Sequence, residues 1–339
     1  MENNKPIALF LGAEADIQNA YAEPVRNALG EHLRFFDRCY DAAFIEQNKS
    51  TRRFQAVEYI FSTWGMVTLN ADEVKRIFPA LKAVFYAAGS VQHFAKPFME
   101  NGVRIFSAWG ANAVPVAEVA VSEIILANKG FFQTLHNGQT DQWTQHDSGK
   151  PYPGNYNTSI GILGAGMIGT LVIQMLKNYK LNVFVFDPFL PEEKVRELGV
   201  TKLERIEEVF ERCSVISNHL ANNAQTENII NRSCFEKMGE NAVFLNTGRG
   251  RQVNENDLID ALTQKPNRAA VLDVTYPEPP ESGSRLYSMS NVFLSPHLAG
   301  SIGNEIQRMG EYMLNEFLLF SQGQATRYEV SEKMLATMA

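Results

Sequence analysis

Between the apolar run Ser159–Leu163 and a helical pattern from Met167 to Tyr179 stands Gly164-Ala165-Gly166-Met167-Ile168-Gly169, a Gly-x-Gly-x-x-Gly. In that setting Gly164 makes a tight turn, Gly166 lets backbone approach a pyrophosphate, and Gly169 lets helix and strand pack closely. The pyrophosphate would rest on the helix N-terminus, against the N–H groups around Met167 and Ile168, where the helix dipole favours negative charge. A glycine motif alone also fits a plain turn, but here a second apolar run, Val183–Phe186, ends on an acid, Asp187, roughly 20 residues further on. That carboxylate can accept from both ribose hydroxyls, and its charge opposes a 2′-phosphate. Pro188-Phe189-Leu190 supplies no arginine to bind one, so the reading is NAD. The bland alternative for Asp187 is a solvated strand-end carboxylate.

A chain of 339 residues suggests two domains. Short apolar runs at Ile7–Leu11, Val57–Phe61, Ala83–Ala87 and Val103–Phe106 alternate with helical spacing such as Ala71–Phe78. A second series runs Ser159–Leu163, Val183–Phe186, Val215–Ser217, Val243–Asn246, Ala270–Leu272 and Val292–Leu294. Each alternation implies a parallel sheet covered on both faces, hence an α/β chain of two doubly wound domains, one flavodoxin-like and one a Rossmann domain. Between them Val114–Phe132 reads as a connecting helix, and His136 to Thr158 as a polar excursion. A structureless segment of that length more plausibly wraps a partner subunit or crosses between domains, which points to a homodimer. The last pattern, about Ile302–Phe320, follows a finished sheet and would return to the first domain. The expected domains are 1–112 with 303–339, and 113–302 including the helix and excursion 113–158.

A net charge of −7 without a basic stripe argues against a nucleic-acid partner. The first apolar run is too short for a signal peptide, and no segment is expected to reach the ~20 apolar residues that span a bilayer. The expectation is a cytoplasmic protein without membrane contact. Cys39, Cys213 and Cys234 match neither a disulfide framework nor a metal-ligand spacing and receive no role.

Three later strand ends carry chemistry: Asn246-Thr247-Gly248-Arg249-Gly250, Asp273-Val-Thr-Tyr-Pro-Glu278-Pro, and Ser295-Pro-His297. In an open α/β sheet the ligand crevice lies beyond the carboxyl ends of the strands, so all three can converge. Singly, each residue has a plain alternative: Arg249 a surface charge, Glu278 a solvated loop acid, His297 a satisfied loop histidine. Together, in this order behind the glycine motif, they resemble the Arg, Glu and His signatures of the D-isomer-specific 2-hydroxyacid dehydrogenase family. Leu81–Val91, with Ala88-Gly89-Ser90, is similar to that family's substrate-carboxylate loop, and Val116-Ala117-Glu118 to its hinge helix.

The resemblance implies a substrate domain first, a terminal helix that rejoins it, and an active site in the cleft between domains. It implies that Arg249 clamps the carboxylate and keto oxygen of a small 2-keto or 2-hydroxy acid, with backbone N–H groups around Ala88, Gly89 and Ser90 completing the grip. His297 would be the acid/base, and a hydrogen bond to Glu278 would favour its protonated form. His219, Thr247 and Asp273 would lie on the cofactor side. Relatives acting on phosphoglycerate tend to carry an arginine where this chain has Trp64, and formate-using relatives a glutamine in place of Glu278, so the implied substrate is an unphosphorylated 2-keto acid. The family usually has a second glycine at Ser90, a histidine at Val119 and a proline at Ala221. It also includes corepressors that keep the same site residues, so an NADH-sensing interaction protein is the alternative class.

Overall fold

The computed structural model describes residues 5–50, 52–135 and 152–335. The chain divides into two compact units, one formed by residues up to 112 with those from 301, the other by 113–300.

The first unit carries β1 (Ile7–Leu11), β2 (Arg34–Phe35), β3 (Val57–Ser62), β4 (Ala83–Tyr86) and β5 (Arg104–Ser107). All pair in parallel, in the order β2-β1-β3-β4-β5, the flavodoxin-type order. Successive residues of a strand face opposite sides. Leu9, Leu11, Ile60 and Val84 therefore pack with helices Ala42–Gln47, Ala71–Ile77 and Ala95–Glu100. Ala8, Phe10, Phe61 and Phe85 face helices Glu14–Ala20, Glu23–His32 and Glu305–Ser321. Covering both faces is why β4 can be apolar throughout. Phe85 stacks on Phe61 at 5.1 Å and on Phe106 at 4.8 Å, and Phe317 of helix Glu305–Ser321 meets the edge of that stack. Gly310 brings the same helix so near Glu14–Ala20 that a Cβ there would lie 1.9 Å from the Ala20 carbonyl oxygen.

The second unit carries β6 (Tyr156–Leu163), β7 (Lys180–Phe186), β8 (Thr201–Lys202), β9 (Val215–Asn218), β10 (Val243–Asn246), β11 (Ala269–Leu272) and β12 (Val292–Leu294). Their order, β12-β11-β10-β9-β6-β7-β8, is the Rossmann order with a seventh strand added at one edge. One face packs against helices Ile206–Arg212, Arg232–Phe235 and Glu255–Gln264, the other against Trp109–Ala127, Met167–Leu176 and Glu192–Leu198. Because every strand runs the same way, the loops after β6, β7, β9, β10, β11 and β12 emerge at one end of the sheet. Those loops carry Gly164, Asp187, His219, Arg249, Glu278 and His297.

Several sequence expectations need correcting. β2 and β8 went unnoticed, since two-residue edge strands show no periodicity. The connecting helix runs Trp109–Ala127 with Pro115 inside it, and Gly130, at φ 70°, separates it from a short helix, Phe131–Leu135. At 19 residues it is long and apolar enough, by length and composition, to cross a membrane, contrary to the expectation that no segment comes near. Its residues Ala117, Ala120, Ile124 and Ala127 are buried in the second unit's core. The helix after the glycine loop stops at Leu176, short of Tyr179. Most of the excursion expected to meet a partner subunit lies outside the described residues.

Candidate active site

Gly164 turns at φ 85°, and a Cβ there would lie 2.8 Å from the His219 carbonyl oxygen. A Cβ on Gly169 would lie 2.0 Å from the Gly164 oxygen, whereas one on Gly166 would meet nothing within 4 Å. Turn, close packing and open approach thus fall on the three glycines as their spacing predicts. No side chain caps the first N–H groups of helix Met167–Leu176 after Gly166, and such free donors at a helix N-terminus are what holds a pyrophosphate. Asp187 is fixed beside them: Oδ2 accepts from Ala165 N–H at 2.8 Å and Oδ1 from Phe189 N–H at 2.9 Å. Each oxygen keeps a lone pair for a ribose hydroxyl. The dinucleotide's requirements are met by the residues present.

His219 is enclosed. Its Nε2 lies 2.9 Å from Ser217 Oγ, its Nδ1 has no partner, and burial pulls the ring down to about 4, which keeps it neutral. Thr247 Oγ1 is likewise enclosed and unpartnered. Asp273 is only 3% exposed. Its carboxylate accepts from Ser295 Oγ (2.6 Å), Leu298 N–H (2.8 Å) and Ala299 N–H (2.9 Å), and so braces the loop that bears His297.

That loop holds His297 at φ 53°, in the left-handed region where a non-glycine residue costs of order 1–3 kcal/mol. The strained backbone is tied down by the His297 N–H, which donates to the Asp273 carbonyl at 3.0 Å. The imidazole Nδ1 sits 2.6 Å from Glu278 Oε1, with both side chains partly exposed. This bond fixes the ring and leaves Nε2 for proton exchange. Arg249 comes alongside because Gly250 lets two turns touch: a Cβ there would lie 2.0 Å from the Thr275 carbonyl carbon. The half-buried guanidinium donates to the Gly248 carbonyl at 2.8 Å, and no ion pair joins it to a carboxylate among the described residues. Burial pulls it down from its usual range, and the charge of neighbouring Glu278 pushes it back up. The second unit therefore brings together Arg249, Glu278 and His297.

The expected carboxylate loop lies in the first unit. Ala88 is buried, Gly89 and Ser90 are half-buried, and Ser107 Oγ reaches the Ala88 carbonyl at 2.9 Å. Sequence reasoning missed the bracing by Asp273, the contact at Gly250, and the buried amides Asn218, Asn246 and Gln252 beneath Arg249. Only the polar ends of β9 and β10, in otherwise apolar strands, hinted at the last of these.

Glu123, on helix Trp109–Ala127, is an acid drawn out of water. Its Oε2 is enclosed without a partner, and burial, with the charge of Asp273 added, raises it from 4.5 to about 8. The folded chain thus keeps this proton where the unfolded chain loses it, so stability falls as pH rises from 4.5 towards 8. Glu123→Gln removes that loss. The variant is expected to match the parent near the lower limit and to melt several degrees higher above the upper one, read by thermal unfolding across pH. An equal offset at every pH would show that Glu123 is ionised in the fold.

Residues 121–299 match the family described as "D-isomer specific 2-hydroxyacid dehydrogenase, NAD binding domain". The chain is 30% identical over 204 residues to the D-3-phosphoglycerate dehydrogenase of Methanocaldococcus jannaschii, covering 60% of this chain and 38% of that one. It therefore spans well under half the length of that relative. It is 27% identical over 270 residues to the human glyoxylate reductase/hydroxypyruvate reductase, covering 77% and 81%. Among solved structures, Rhodotorula graminis D-mandelate dehydrogenase aligns with a TM-score of 0.80 at 18% identity over 97% of this chain and 98% of that one, a likeness of fold.

Proposed function

Because the chain belongs to the D-isomer specific 2-hydroxyacid dehydrogenase family, whose NAD-binding domain it carries over residues 121–299, we propose that it interconverts a small, unphosphorylated 2-keto acid and its D-2-hydroxy acid with NAD. The observation that carries this reading is a half-buried guanidinium, Arg249, ion-paired with no carboxylate among the described residues, beside a bonded Glu278–His297 pair. An unpaired charge taken out of water is costly, and an anionic substrate resolves the cost.

Bound NADH supplies the hydride for the carbonyl carbon. Arg249, planar and always charged, holds the substrate carboxylate and draws electron density towards the keto oxygen. His297 gives the Nε2 proton to that oxygen as it gains charge, and Glu278, bonded at Nδ1, holds the ring in orientation. In the reverse direction the neutral ring takes the proton from the hydroxyl. Trp64, on the loop after β3, stands 42% exposed and offers no cation for a phosphate.

Glyoxylate, hydroxypyruvate, pyruvate, bulkier 2-keto acids and phosphohydroxypyruvate, each offered with NADH and with NADPH, test the proposal. At least one unphosphorylated acid is expected to be reduced, with NADH preferred because of Asp187. Absence of NADH oxidation with every acid would overturn it.

A further inference from the structure

Beneath Arg249 lies a side chain with no exposure at all, Gln252. Its Oε1 accepts from Asn218 Nδ2 at 2.7 Å and from the Arg249 N–H at 3.2 Å. Its Nε2 donates to the Leu220 carbonyl at 2.8 Å and the Ala221 carbonyl at 2.9 Å. Both ends of the amide are therefore used, and the partners fix its orientation: a flip would set NH2 against donors and oxygen against two carbonyls. Asn218 extends the network through Nδ2 to Asn246 Oδ1 at 2.9 Å, and Asn246 Oδ1 in turn accepts from Gly248 N–H at 3.1 Å. The turn rests on these amides so closely that a Cβ on Gly248 would lie 2.8 Å from Asn218 Nδ2.

One buried side chain thus ties the turn after β10, which aims Arg249, to the turn after β9, which begins at His219. We propose that Gln252 is a positioning residue that sets the Arg249 guanidinium for anion binding by anchoring the Arg249 main chain to the Asn218–Ala221 turn. This rests on the reading of Arg249 as the substrate clamp. Burying an amide costs free energy unless every polar atom finds a partner, and here all of them do, so the network holds one arrangement.

The test is a double-mutant cycle read by binding of oxamate, an unreactive 2-keto acid analogue, to the NADH-loaded protein by calorimetry, scaled to the fraction that binds NADH. Gln252→Met, similar in volume but without hydrogen bonds, is expected to weaken oxamate at least tenfold. Arg249→Ala is expected to weaken it more, and Gln252→Met added to Arg249→Ala to change nothing further. Gln252→Glu keeps the acceptor end and, as a buried acid, offers its proton to one of the two carbonyls; it is expected to return oxamate to within threefold of the parent. This second variant reads the proposal even where the first fails to fold. Equal weakening by Gln252→Met with and without Arg249, or none in either, overturns the positioning role. No effect of Arg249→Ala itself instead overturns the clamp, and the positioning role with it.

Discussion

Replacing His297 with asparagine is expected to lower kcat for 2-keto acid reduction by roughly 10²–10⁴-fold, the usual contribution of a positioned acid, while the protein folds as before. Asparagine is among the few residues at ease at φ 53°, and the backbone bond to the Asp273 carbonyl survives the change. The lost Glu278 contact joins two partly exposed side chains, so it contributes little to folding. Because the ring serves as acid in reduction and as base in oxidation, the loss is expected in both directions. Steady-state kinetics in both directions, beside a melting curve, check this. Parental turnover in the variant would remove His297 from the chemistry.

The sequence carried the parts of this molecule that depend on local spacing. Gly164 and Gly169 stand where a Cβ would clash and Gly166 where nothing is near, because a turn, a tight crossing and an open approach are set within a few residues. The central strands were readable because burial on both faces demands unbroken apolar runs. Arg249, Glu278 and His297 were found by order and strand-end position. Contacts made across loops were not readable. That Asp273 braces the His297 loop follows from three donors some two dozen residues further on, and no periodicity announces such a partner. Gln252 sits where a one-dimensional reading expects a turn residue, and its meaning appears only when β9 and β10 lie side by side. The end of helix Trp109–Ala127 was placed too late because the apolar pattern continues past Gly130 into Phe131 and Phe132.

Arg249 should separate activity from stability more sharply than any other residue here. Losing a buried, charge-assisted contact to an anionic ligand costs about 2–5 kcal/mol, so Arg249→Ala is expected to lower kcat/KM by roughly 30- to 5,000-fold. Arg249→Lys restores the charge without the planar pair of donors and should recover only part of that loss. Folding should respond in the opposite sense. The guanidinium is partly withdrawn from water without an ion pair among the described residues, and it donates to the adjacent Gly248 carbonyl. Removing it relieves a desolvation cost, so the melting temperature is expected to stay level or rise. A fall in kcat/KM accompanied by marked destabilisation would mean that Arg249 supports the turn; near-parental kcat/KM would mean that the substrate carboxylate binds elsewhere. The expected pairing, lost turnover in a protein at least as stable, is what a charge held ready for an absent anion requires.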